Sequence, residues 1–487
     1  MGLIGILLAL GGLIWLAYRG WSILLLAPAA AAVAAAFARE PLLAHWTLTF
    51  MDAAAGFVAQ FFPLFLLGSL FGKLMDDSGS VTAIADAMMR RLGPQRAMLA
   101  VVLAGALVTY GGVSLFVAFF VLVPMASALF RAADIPPRLM PAAIVLGTST
   151  FTMSALPGTP AIQNAIPMPF FGTTPFAAPG LGILAGVIML LFGLWWLGRA
   201  QRHAATARDV DTPSEAQLHE SPVAAARDPL IRERATTASG FDPAETEHGG
   251  RSASRPGTMT AMLPLVVMVA INMAMSLWLL PNWNADFLDD PVWGDVTLND
   301  VGGVWSVLTA LLGAIVCVVT LNWRRFPSLR DTVDAGANAA VLPILSVASL
   351  VGFGSVVAAM PAFAAVRDWL LTIDGGPLVS LAIATNVLAA LTGSASGGLT
   401  IALQALGEAY MQIAAQTGLD PALMHRVAVI GAGTLDSLPH NGAVVTLLAV
   451  CGATHRESYR DIVIVGIVGP ILALVAVIAL GGWFGSF

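Results

Sequence analysis

The sequence predicts an all-α polytopic membrane protein with about ten spans, two re-entrant hairpins and inverted repeats of broken helices. Three observations predict it. Of 487 residues, 57% are hydrophobic and 11% charged, with mean hydropathy +0.83, whereas soluble domains carry roughly 25% charged residues. Apolar runs of spanning length recur without the alternation that a membrane strand needs, which argues against an outer-membrane barrel. The two halves of the chain also repeat one another, with interruptions at matching places.

Taken in order, the predicted spans are 2–17, 21–38, 53–75, 139–169, 177–199, 259–281, 303–323, 332–360, 423–452 and 461–485. The first lacks a basic leader and a small-residue cleavage site, so it reads as a retained helix, not a signal peptide. Segments 97–131 and 377–416 are too long for one crossing and carry Gly-rich stretches near their middles, so each reads as a re-entrant hairpin. Cys317 and Cys451 lie inside apolar runs and do not suggest a disulfide framework. Residues 201–258 are polar, with few large apolar side chains, among them Leu218, Leu230, Ile231 and Phe241. Such a segment cannot bury a core and reads as a disordered cytoplasmic linker.

Lys and Arg near span ends set orientation. Arg19, the Arg90, Arg91 and Arg96 group, Arg199 and Arg202, Arg324, Arg325 and Arg330, and Arg456 and Arg460 fall on the cytoplasmic side. Segment 282–302 holds five Asp and no Lys or Arg, and faces outward. With both hairpins re-entrant, these loops all fall on their expected sides and both termini lie outside.

The repeat runs over roughly 120 residues at an offset near 282. Asp52 to Gly56 matches Asp334 to Asn338, Phe62-Pro63-Leu64 matches Leu342-Pro343-Ile344, and Phe71-Gly72 matches Phe353-Gly354. Gly111 to Ser114 matches Gly397 to Thr400, Pro137 to Met140 matches Pro421 to Met424, and Leu156-Pro157 matches Leu438-Pro439. Loop 76–96 is Arg-rich while its counterpart 358–376 has one Arg and two Asp. The copies therefore point in opposite directions across the membrane, the pattern of alternating-access carriers. The chain divides into 1–50, repeat 51–200, linker 201–258, helices 259–331 and repeat 332–487.

Each repeat is interrupted twice. The first hairpin turns at Thr109, Tyr110, Gly111, Gly112, Val113 and Ser114, and the second at Thr392, Gly393, Ser394, Ala395, Ser396, Gly397 and Gly398. The broken spans open at Ser154 to Thr159, including Gly158, and at Asp436 to Gly442, including Ser437, His440 and Asn441. Breaking a helix in lipid strands backbone groups at several kcal/mol each. Those groups and the small hydroxyls can instead hold a ligand, because helix N-termini bind carboxylates and unwound carbonyls bind cations. Close packing of small residues is the competing reading of any single Gly/Ser patch. These hydroxyl, glycine and amide residues are the candidate substrate contacts.

Asp436 and His440 are the ionisable residues in the second broken span, and intramembrane acids and imidazoles mark ion or proton paths. Either serves as the coupling-proton site; Asp436 as a cation ligand and His440 as a plain carbonyl partner stay open. Asp52 and Asp334 read as helix N-caps. Glu408 and Gln404 are left between scaffold and path. No Lys or Arg falls in the four breaks, so an anion there would be held by dipoles and amides.

Other chemistry is not supported. There is no P-loop, no clustered His and Cys for zinc, and no nucleophile elbow around Gly147. Nucleic-acid binding does not suit a chain of net charge −6 with a lipid-like body. No enzyme activity and no cofactor is expected.

FGKLMDDSG (71–79), TGSASGGL (392–399) and TLDSLPHNGAV (434–444) resemble the gluconate-permease-type family of the ion-transporter superfamily, nearest its hydroxybutyrate-permease branch. The likeness covers most of the chain outside 201–258. It implies an elevator-type carrier, with residues 1–50 and 259–331 in the scaffold and both hairpins in the moving domain. It also implies a homodimer in the lipid of a bacterial inner membrane, and binding roles at 109–114, 154–159, 392–398 and 436–442. The function expected is proton-coupled symport of a small organic anion, gluconate- or hydroxybutyrate-like. Sodium coupling is the alternative, and an anion channel or a membrane enzyme using His440 and Asp436 are the rivals of other classes.

Overall fold

In the computed structural model, residues 2–18, 21–113, 115–208, 252, 254–293, 296–365, 373, 375–392, 394–439 and 441–487 are described, and among them every regular element is helical. Six helices are long and apolar enough to cross a bilayer: Leu42–Asp77, Pro179–His203, Thr258–Asn282, Leu298–Arg325, Leu329–Ala359 and His455–Phe484. That is fewer than the ten spans the sequence predicts. The N-terminal pair, α1 (Gly2–Tyr18) and α2 (Ile23–Ala38), is shorter, and segments 139–169 and 423–452 are each broken into pieces. Leu7, Leu191, Val316 and Val475 stand exposed on helix exteriors, as apolar surroundings allow.

Helix α3 runs from Leu42 to Asp77, with one π-helical stretch at His45–Phe50. Asp52 therefore lies inside a continuous helix and caps nothing, which corrects its reading as an N-cap. Asp334 is likewise internal to Leu329–Asn338; Ser328 caps that helix by accepting from Asp331 N, and Asp334 instead faces Arg330 at 3.7 Å. Both helices begin earlier than the spans read from the sequence, one at Leu42 and the other at Leu329, so each Asp falls within a helix and not at its start.

After α3 the chain turns at Gly79 into α4 (Ser80–Leu92), then bends by 102° into the first hairpin. Its arms are α5 (Ala97–Tyr110) and α6 (Leu115–Ala132). The second hairpin has arms α7 (Pro377–Thr392) and α8 (Ala395–Thr417). Ser394 starts α8 by accepting from Gly397 N at 3.2 Å, so the tip hydroxyl is a helix cap.

The segment 139–169 opens as Met140–Thr148, Phe151–Ser154 and Ile162–Ala165, with no helix over 155–161. Its counterpart opens as α9 (Pro421–Thr434), a 3-10 turn Leu435–Ser437, and α10 (Gly442–Val450). Elements at matching repeat positions pack in matching ways. Each hairpin's first arm lies on the helix that begins the following broken segment, and α3 packs on its counterpart Val341–Ala359.

The linker of the sequence reading falls mostly outside the described residues. Its near end continues Pro179–Arg208 as helix. Its far end docks on the corner between α3 and α4: Ser252 N donates to Asp77 O at 2.8 Å, and Arg255 pairs with Asp86.

Candidate functional site

A cavity of about 220 Å³ lies between the two hairpin tips and the broken segments. Six residues singled out from the sequence line it: Thr109 and Gly112 from the first tip, Ser394 and Ser396 from the second, and Asp436 and Asn441 from the second break. Their spread over the chain is the point. Residues more than three hundred positions apart share one wall only because the two halves face each other.

Asp436 organises the second half of this wall. Its Oδ1 accepts from Ala395 N at 2.8 Å and from Asn441 Nδ2 at 2.7 Å. Ala395 opens the 23-residue helix α8, so the carboxylate sits on that helix's positive end and ties break to tip. Asn441 in turn accepts from Ala443 N at 2.7 Å, fixing the start of α10. At the first tip, Thr109 Oγ1 donates to Thr152 Oγ1 at 3.1 Å, and Tyr110 Oη donates to Pro157 O at 2.8 Å. Each tip is therefore latched onto a broken segment. Gly112 has φ +83, and a Cβ there would also lie 2.8 Å from Pro160 Cγ, so the turn needs glycine.

The other predicted contacts do not line the cavity. Gly158 has both backbone groups occupied: its N–H donates to Pro175 O at 2.9 Å and its carbonyl accepts from Asn272 Nδ2 at 2.9 Å. Thr159 Oγ1 accepts from Ala161 N, Ser154 Oγ donates to Thr150 O, and Thr392 Oγ1 donates to Leu388 O. Ser437 is buried against Gly466, and Gly111 packs on Leu265. Gly397 and Gly398 serve close packing: a Cβ would fall 2.5 Å from Leu350 Cδ1 and 2.2 Å from Ala389 N, respectively. Tyr110 acts beside the cavity, through Pro157. Ser114, Gly393 and His440 lie outside the described residues.

Sequence reasoning missed Lys73. It is buried, lines the cavity, and donates from Nζ to Asp77 Oδ1 at 3.0 Å. Asp77 Oδ2 accepts from Thr332 Oγ1 at 2.7 Å. The expectation that an anion would meet only dipoles and amides is corrected: a cation stands in the wall, on an unbroken helix where the search for breaks did not look. A Lys with Asp four positions later inside an apolar span was the available signal. Gln163 also lines the cavity. A second missed cluster lies apart from it. Arg426 is fully buried and donates to Ala177 O at 3.1 and 2.6 Å, while Asn164 Oδ1 takes a bond from Arg426 Nη1 at 3.4 Å. His425 bridges Thr173 Oγ1 at 2.6 Å and Asn164 Oδ1 at 3.2 Å. This network clamps residues 164–177 onto α9. Among the described residues no group of three or more His, Cys, Asp or Glu is placed to hold a metal ion.

The profile of GntP family permeases matches residues 1–222. The transporter YxjC of Bacillus subtilis is 38% identical over 492 residues, covering 99% of this chain and 100% of the relative. The chain belongs to the GntP permease family. It is a membrane transporter and not an enzyme. The high-affinity gluconate transporter of Escherichia coli is 24% identical to this permease over 395 residues, covering 76% of this chain and 74% of that one. Two solved structures share the fold of this GntP permease. MtrF of Neisseria gonorrhoeae, described with a class of antimetabolite efflux pumps, superposes with TM-score 0.55 at 15% identity, over 91% of this chain and 85% of that one. The YdaH transporter of Alcanivorax borkumensis gives 0.53 at 18% identity, over 91% and 89%.

Proposed function

We propose that this permease is a secondary active transporter that carries a small organic anion, gluconate- or hydroxybutyrate-like, together with protons by alternating access. The observation that carries the reading is the bond from Ala395 N to Asp436 inside a cavity shared by both hairpin tips. A carboxylate on a helix N-terminus at the ligand site is a group whose proton state changes how firmly the tip is held. When ionised it holds the amide through a charge-assisted bond; when protonated it holds it less. That couples a proton to opening of the tip.

Lys73 in the cavity wall supports an anionic cargo, and the likeness to a gluconate transporter supports a hydroxylated carboxylate. Thr109, Ser394, Ser396, Gln163 and Asn441 supply the donors and acceptors that hydroxyl groups require. Two latched tips on one cavity support alternating access, in which releasing one and then the other would expose the ligand to each side in turn. The wider assignment goes with it: hairpins entering and leaving on one side, antiparallel repeats, an elevator motion, a homodimer, and an inner membrane with both termini outside.

Proteoliposomes loaded at controlled pH test the reading. Saturable uptake of labelled gluconate or 3-hydroxybutyrate, driven by an inward proton gradient, is expected. Uptake that ignores pH but follows a sodium gradient would transfer the coupling to sodium. Conductance that follows voltage with no coupled accumulation would overturn the carrier in favour of a channel.

A further inference from the structure

We propose that Lys73 is the residue that takes the carboxylate of the cargo, and that Asp77 is its positioning partner. The inference rests on the transporter reading above and adds the recognition group that reading lacks.

The bonding around this pair is lopsided. An ammonium has three N–H donors, yet among the described residues the one hydrogen bond of Lys73 is to Asp77. The side chain is 3% exposed, so bulk water does not take up the remainder. Asp77, by contrast, is fully buried and held from two sides, by Lys73 on Oδ1 and by Thr332 on Oδ2. The carboxylate is anchored and the ammonium is not. Lys73 can thus keep one bond to Asp77 and offer its other donors to a carboxylate that enters the cavity it lines.

The repeat adds a second argument. Phe71-Gly72 matches Phe353-Gly354, so the positions matching Lys73 and Asp77 are Ser355 and Ala359. That second helix packs well without a charge at either place: Ser355 and Ala359 sit in Val341–Ala359, which lies along α3. The fold of this element does not require the ion pair. A buried pair adds little stability over apolar residues of similar volume, so its presence in one copy only is explained by a ligand. Lys73 lines the cavity from α3 and Asp436 lines it from the second break, so that cargo charge and coupling charge would be read by different residues.

The test uses the full chain in proteoliposomes and in detergent, with gluconate and 3-hydroxybutyrate as probes and glucitol as the neutral counterpart of gluconate. Wild-type protein should be stabilised by gluconate and not by glucitol. Lys73→Gln combined with Asp77→Asn leaves no lone buried charge, and should raise KM by about tenfold or more, the loss of one charge-assisted bond. Lys73→Arg should keep carboxylate preference. Asp77→Asn alone keeps an acceptor for Lys73 and removes the competing negative charge, so KM for gluconate should fall. A purely structural pair would make Lys73→Gln and Asp77→Asn weaken binding alike, and that result overturns the proposal. So does a double variant with wild-type KM and wild-type rejection of glucitol. Wild-type protein that is neither stabilised by the acids nor moves them overturns the carboxylate reading and this inference with it.

Discussion

Asp436 and Ala395 are joined across the cavity by a 2.8 Å hydrogen bond, from the first amide of a hairpin arm to a carboxylate on the opposing broken helix. The bond is where a proton and a conformational change can meet. Asp436→Asn keeps an oxygen for Ala395 N and loses the titrating group. The expected outcome is loss of pH-driven accumulation with carboxylate exchange retained, read as counterflow in proteoliposomes. Concentrative uptake at the wild-type level would remove Asp436 from coupling.

Asn441 both donates to Asp436 and accepts from Ala443 N at the start of α10. Asn441→Ala should lower stability by about 1 kcal/mol, the usual cost of a lost cap, and should also weaken ligand-induced stabilisation. Thermal melting with and without gluconate separates the two effects. A change in melting with no change in the ligand shift would leave Asn441 as a cap alone.

The tip glycines divide by what surrounds them. A Cβ on Gly398 meets backbone, Ala389 N at 2.2 Å, whereas one on Gly397 meets the far end of the Leu350 side chain. Gly398→Ala should destabilise by about 1–3 kcal/mol as overpacking does, and Gly397→Ala by less, because a side chain can move aside. Melting temperatures rank the two; equal losses would contradict the packing account.

Tyr110→Phe removes the bond from the first tip to Pro157 O. A loss of about 0.5–1.5 kcal/mol is expected, felt locally as faster amide exchange over 109–113. Hydrogen–deuterium exchange that is unchanged there would show that this latch does not hold the tip.

Two arginines make a control pair. Arg426 is fully buried and bonded to Ala177 O and Asn164, whereas Arg255 pairs with Asp86 at the surface, its side chain 60% exposed. Arg426→Met leaves a buried carbonyl short of its donors and should cost about 1–3 kcal/mol. Arg255→Ala should cost at most about 1 kcal/mol. Denaturation of both variants under one condition checks the contrast.

Much of this architecture was legible along the chain. The helical arms and the openings at 155–161 and 438–439 left marks in one dimension: apolar length, Gly and Pro, and recurring spacing. These features are local, because a helix in lipid must either continue or show a breaker. The sequence therefore determined that this is a helical membrane protein with paired interruptions, and it marked Asp436, Asn441, Thr109 and the serine tip. Which small residues meet the cavity and which only let helices touch was decided by the tertiary structure. Gly398 and Gly112 look alike in sequence, yet one packs on Ala389 and the other turns over Pro160. Lys73 shows the same limit from the other side: a lysine in an apolar run gives its charge but not its neighbours. Burial, the approach of Asp77 and Thr332, and a shared cavity with Asp436 arise only when distant segments pack, and packing is a sum over contacts that spacing along the chain does not record.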